Sequence, residues 1–132
     1  MANPSVFISY GHRDAALAER FGSALRRLGF EALDPGREAR GGQSRRAAVK
    51  SSMRRAGAVI TLASSPHNLT SGWVSYEAGV AEALGKDVML LLPSKYPVTE
   101  LPSEFASTQI VDLDTEAPER AAHEVASRLA MV

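Results

Sequence analysis

Residues 58–93 read AVITLASSPHNLTSGWVSYEAGVAEALGKDVMLLLP: an apolar run, a polar loop, a helix-spaced segment, then a second apolar run. AVITLA (58–63) and DVMLLLP (87–93) are apolar throughout rather than alternating, as strands covered on both faces must be. Between them, Trp73, Ala81, Val80 and Leu84 fall on one helical stripe, the side such a helix turns to its sheet. Glu77 falls on the same stripe, between Leu84 and Ala81. A carboxylate in the middle of a core-facing stripe is costly unless it is paired, hydrogen-bonded or turned to a pocket.

The pattern repeats outward. VFISY (6–10) is a short β-rich run, followed by a helix carrying Leu17, Phe21, Leu25 and Leu28 at helical spacing. Asp14 stands as its N-cap and Gly29 as its stop. FEAL (30–33) is a second strand, and DPGREARGGQS (34–44) a Gly- and Pro-rich loop. A basic helix over 45–56 ends near Gly57. After the second long apolar run, SKYPVTELPSEFAST (94–108) is mostly loop, QIVDL (109–113) a last strand, and 117–130 a closing helix with Ala122, Val125, Ala126 and Leu129 inward. Five strands alternating with helices predict an α/β fold: a flavodoxin-like, doubly wound five-stranded parallel sheet, order 2-1-3-4-5, with helices on both faces. No repeat, linker or low-complexity segment interrupts it, so residues 1–132 read as a single domain.

Composition narrows the function. The 132 residues include no cysteine, which removes disulfides and thiolate metal sites. His12, His67 and His123 have no ligand spacing, so no metal is expected. The start lacks a signal peptide and no apolar run reaches membrane-spanning length; the expectation is a cytoplasmic protein without a membrane partner. Formal net charge is zero, but it is segregated. Seven basic residues lie between Arg37 and Arg55 against Glu38 alone, and from Glu100 onward seven acids face Arg120 and Arg128. Such halves suit a phosphate-bearing ligand or head-to-tail contact with another copy. The basic stretch has no interleaved aromatics, so nucleic acid is not expected.

In open parallel sheets, ligands bind beyond the carboxyl ends of the strands where strand order reverses. That point lies between the first and third strands, which end in YGHRD (10–14) and SSPHN (64–68). Glu77, in the first turns of the following helix, would border the crevice. Two phosphate chemistries are absent: Gly42 stands where a P-loop needs Lys, and Ser64 and Ser65 stand where a phosphoacceptor domain needs Asp. A Ser–His–Asp triad has no nucleophile elbow to support it.

VFISYGHRD resembles the first-strand signature of TIR (Toll/interleukin-1 receptor) domains, and SGWVSYEAGVAEALGK resembles their W-x-x-x-E helix. GAVITLASS and the Gly-rich loop fall between them in the family's order, over about residues 5–115. The Arg- and Ala-rich composition looks bacterial. The resemblance implies an NAD nucleosidase that breaks the nicotinamide–ribose bond, with Glu77 as the catalytic residue and NAD as substrate rather than cofactor. It further implies Trp73 and Tyr76 as aromatic surface beside the ribose, Tyr10, Gly11 and His12 as the opposite wall, and Arg37 and Arg40 as holders of the pyrophosphate. Partners would be other TIR domains, met through loop 34–44 and the opposed charged halves, with activity on self-association and a role in immunity or signalling. Two other readings remain open: a non-catalytic TIR–TIR adaptor, and a nucleoside deoxyribosyltransferase, whose nucleophilic glutamate sits on a helix similar to EAGVAEALGK (77–86).

Overall fold

The structure, a computed structural model, describes residues 4–34, 42–105 and 108–130. Five strands form one sheet: β1 (Ser5–Tyr10), β2 (Glu31–Leu33), β3 (Ala58–Leu62), β4 (Val88–Leu92) and β5 (Gln109–Asp112). Their order is β2-β1-β3-β4-β5 and every pairing is parallel, the expected doubly wound arrangement. The register sets Ile8 beside Ile60 and Tyr10 beside Leu62, so the ends of β1 and β3 meet at one rim.

Among the described residues, four helices cover the sheet: α1 (Ala15–Arg27), α2 (Gly42–Arg55), α3 (Gly72–Ala83) and α4 (Pro118–Ala130). Period-two alternation in β1 divides the core. Val6 and Ile8 face α1 and α4, packing with Phe21, Leu25, Ala122 and Val125. Phe7 faces α2 and α3, packing with Val49, Met53 and Ala81. A third cluster joins Leu69, Val74, Leu90, Leu92 and Phe105. Gly29 and Gly85, at φ +94° and +68°, end α1 and α3 in the left-handed conformation that glycine adopts without strain.

Sequence reading and structure differ in several details of the elements. α2 starts at Gly42, three residues inside the expected loop. The segment after β4 contains two short 3₁₀ turns, Val98–Glu100 and Ser103–Phe105. Asp14 makes no capping hydrogen bond to α1, because its carboxylate is used elsewhere. No helix among the described residues is long and apolar enough to cross a membrane.

Candidate active site

A cavity of about 750 Å³ opens at the carboxyl rim of the sheet. Tyr10 and His12 come from the end of β1, Asp34 from the end of β2, Arg45 from the start of α2, and Ser71, Trp73 and Glu77 from the start of α3. Ala15, Ala16 and Glu19 of the α1 start complete it, over Ile8. A larger hollow of about 1020 Å³ lies at the opposite rim, beside Ala58, Val88 and Gln109. Its charged side chains are exposed or already engaged: Lys86 donates to two carbonyls and Arg128 pairs with Glu124. The smaller cavity, with its buried acid, is where chemistry is possible.

The crevice is not where strand order alone puts it. The notch between β1 and β3 is closed by Asp14, which is 2% exposed. Its Oδ1 accepts from Ser64 Oγ at 2.7 Å, and its Oδ2 from Ser64 N at 3.2 Å and Asn68 Nδ2 at 2.9 Å. Gly11 is buried beneath the same loop, where a Cβ would stand 3.3 Å from the Asn68 carbonyl oxygen. These contacts pin the loop after β3 over the notch, and the open space lies toward β2 instead. His67, expected at the crevice, is exposed away from it.

α3 is held in place by its own sequence. Ser71 caps it, its Oγ accepting from Val74 N at 3.2 Å, and this satisfies one of the free amides of the first turn. Trp73, Tyr76, Val80, Leu84 and Ala81 pack on the Phe7 cluster, whereas Val74 and Ala78 pack beside Leu69 and Phe105. Glu77 sits between the two apolar sets, 3% exposed. The periodicity that placed a carboxylate among core residues is thus realised, with the cavity supplying its outlet.

Among the described residues, Glu77 forms no ion pair, and its one hydrogen bond is received from Ser9 Oγ on Oε1 at 2.7 Å. Burial pushes its pKa from 4.5 up to about 7, because a carboxylate removed from water loses hydration that the protein does not fully replace. The Ser9 hydrogen bond and the charge of Arg45 oppose this, and the charge of Asp34 adds to it. Arg45 is the basic group whose charge reaches Glu77, but its guanidinium lies over Trp73, 4.0 Å from the ring centroid. Trp73 also stacks on Tyr76, centroids 5.2 Å apart at 26°, and Arg46 stands over Tyr76 at 5.1 Å.

Of the residues singled out from sequence, the structure brings Tyr10, His12, Trp73 and Glu77 to one cavity. Gly11 lies under the rim, and Tyr76 lies behind Trp73, off the cavity wall, its buried hydroxyl without a hydrogen-bond partner among the described residues. Arg37 and Arg40, with most of loop 34–44, lie outside the described residues. Sequence reasoning missed Ser9, Asp34 and Arg45. Ser9 had a signal: it lies on the Phe7 face of β1, two residues on, the face that α2 and α3 cover. Asp34 receives a hydrogen bond from Tyr10 Oη at 2.6 Å, a contact between two strand ends that no local pattern announces.

The TIR domain family model matches residues 6–129. No curated protein sequence matches the chain. Among solved structures, a metazoan TIR-STING receptor from C. gigas, in complex with 2′,3′-cGAMP, superposes with a TM-score of 0.65 at 22% identity, over 89% of this chain and 38% of that one. A conserved protein from Enterococcus faecalis V583 gives 0.65 at 13% identity, over 94% and 99%. A 2-deoxyribosyltransferase from Bacillus psychrosaccharolyticus gives 0.62 at 16% identity, over 87% and 90%. At these identities the structural likenesses show the fold.

Proposed function

The chain belongs to the TIR domain family, and on that premise we propose that it cleaves NAD at the nicotinamide–ribose bond, with Glu77 as the catalytic residue. One observation carries the reading: a buried carboxylate on a cavity wall, with a hydrogen bond from Ser9 but no cation paired to it among the described residues. Such a group is destabilised until a positive charge arrives. The substrate supplies one. In NAD the ring nitrogen is cationic, and as the C1′–N bond breaks its electron pair leaves with nicotinamide, which departs neutral. Positive charge then moves to C1′ and the ribose ring oxygen, as in glycoside hydrolysis.

A fixed carboxylate in a poorly hydrated site stabilises that developing charge more than it stabilises the ground state, which is the condition for acceleration. Water then adds to C1′ and gives up a proton. No second, acidic carboxyl is required, because the leaving group needs no proton. Ser9 holds the carboxylate in place, and Trp73 and Tyr10 border the ribose. Arg37 and Arg40 are proposed to assist at the pyrophosphate, and association with other TIR domains to be the condition of full activity.

The same carboxylate would serve a deoxyribosyltransferase, and the fold it shares with one favours keeping that reading as the second. Purified protein at high concentration is incubated with NAD, and separately with a deoxynucleoside plus free base, beside Glu77→Ala. Nicotinamide release that the variant lacks supports the proposal. Base exchange without nicotinamide release moves the assignment to the second reading, and inactivity on both leaves a TIR–TIR binding module.

A further inference from the structure

The cavity is acidic for a ligand that carries two phosphates. Glu19, Asp34 and Glu77 line it, and among the described lining residues Arg45 is the one permanently charged cation. Arg45 is also unspent: none of its nitrogens has a hydrogen-bond or ion-pair partner among the described residues, and its buried Nε is without an acceptor. Its recorded engagement is the stack on Trp73, 4.0 Å from the ring centroid. Buried donors left unmade cost stability, and they mark places where a ligand or ion completes the structure. Stacking fixes the guanidinium plane while leaving its N–H edge free, the edge that pairs in bidentate fashion with phosphate oxygens.

We infer that Arg45 is the anion anchor of the cavity, binding the diphosphate of a nucleotide ligand through its free edge while Trp73 supports its plane. The inference rests on the reading of the cavity as a dinucleotide site and names the residue that selects for phosphate. Arg45 thereby sets the reach of the site, because a diphosphate held at the start of α2 leaves the attached ribose to extend toward Glu77. Two cations nearby do not compete for the role: Arg46 stands over Tyr76, and Lys50 lies on the exposed side of α2.

The test needs no turnover. Trp73 is the sole tryptophan, so its fluorescence reports on the guanidinium above it, and calorimetry gives the affinity independently. Wild-type protein is titrated with ADP and with adenosine, then Arg45→Gln and Arg45→Lys are titrated with both. ADP is expected to saturate and to change Trp73 emission, with adenosine at least about tenfold weaker, as a charge-assisted bidentate contact demands. R45Q is expected to lose about tenfold or more in ADP affinity with adenosine unchanged, and R45K to fall between.

Equal binding of ADP and adenosine, undiminished ADP binding by R45Q, or no ADP binding at millimolar concentration would each overturn the inference. If R45Q does not fold, R45K decides alone: undiminished ADP affinity overturns the role, and a loss of about threefold or more supports it. Failure here with NAD cleavage intact leaves the proposed function standing. Arg45-dependent ADP binding without NAD cleavage leaves the anchor standing and removes the reaction.

Discussion

Glu77→Gln is the perturbation with the most informative consequence, because its effect on stability should depend on pH with a definite sign. The amide has the shape of the carboxylate and keeps an oxygen to accept the Ser9 hydrogen bond of 2.7 Å. What it removes is the titration. In the folded protein the Glu77 pKa stands at about 7 against an ordinary 4.5. Between those values the folded state holds a proton that the unfolded state has released, so wild-type stability falls as pH rises through the window and levels off above it. The full gap is worth on the order of 3 kcal/mol for a group this buried.

Gln carries no such cost. E77Q should therefore match wild type near pH 5 and exceed it at pH 8 by up to about 3 kcal/mol, or roughly 10 °C in a domain of this size. The extra amide donor, where it finds no partner, reduces that gain. Thermal melts of both proteins at pH 5 and pH 8, at one ionic strength, measure the difference and cancel the titration of every other group. A difference that does not change with pH would refute the reasoning. So would E77Q losing ground as pH rises, since that marks an ionised carboxylate stabilised by a partner.

Further outcomes follow from the same contacts. Ser9→Ala removes the hydrogen bond that favours the ionised carboxylate, about 1.5–3 kcal/mol for a charged acceptor. It should raise the apparent pKa in the kcat/KM profile for NAD by one to two units, which initial rates from pH 5.5 to 9.5 measure. In the wild type, kcat/KM should fall about tenfold per pH unit below roughly 7, because the reactive form is ionised, and an acid limb absent from the profile contradicts this. Asp14→Ala strands the Ser64 and Asn68 donors and should cost about 2–4 kcal/mol by urea denaturation. Gly85→Ala forces a side chain into the left-handed region at φ +68° and should cost about 1–2 kcal/mol, seen as a lowered melting temperature.

The sheet was legible because its evidence is distributed: each apolar strand and each helix repeat states its own period, and five strands in this order admit few topologies. Glu77 was legible for the same reason, as a local violation of an otherwise regular stripe. The crevice was only half legible. Strand order points to the β1–β3 notch, but Asp14 fills it by reaching 50 and 54 residues along the chain to Ser64 and Asn68, and no local pattern reports such a contact. Tyr76 stands three residues from Trp73, and the family resemblance implies both on the same wall. The stack of the two rings instead puts one at the cavity and the other behind it. In the sequence Arg45 is one more charge on a basic helix, and only the fold shows that the first turns of α2 meet α3 at the site.

The central claim is that the buried carboxylate of Glu77 performs the bond cleavage. Nicotinamide release from NAD at pH 8, by concentrated wild-type and E77Q proteins each shown to be folded, tests it most directly. The account predicts release by the wild type and a loss of about 100-fold or more in E77Q, as for removal of a preorganised electrostatic group. E77Q retaining wild-type release, or a wild type that releases none, would contradict it.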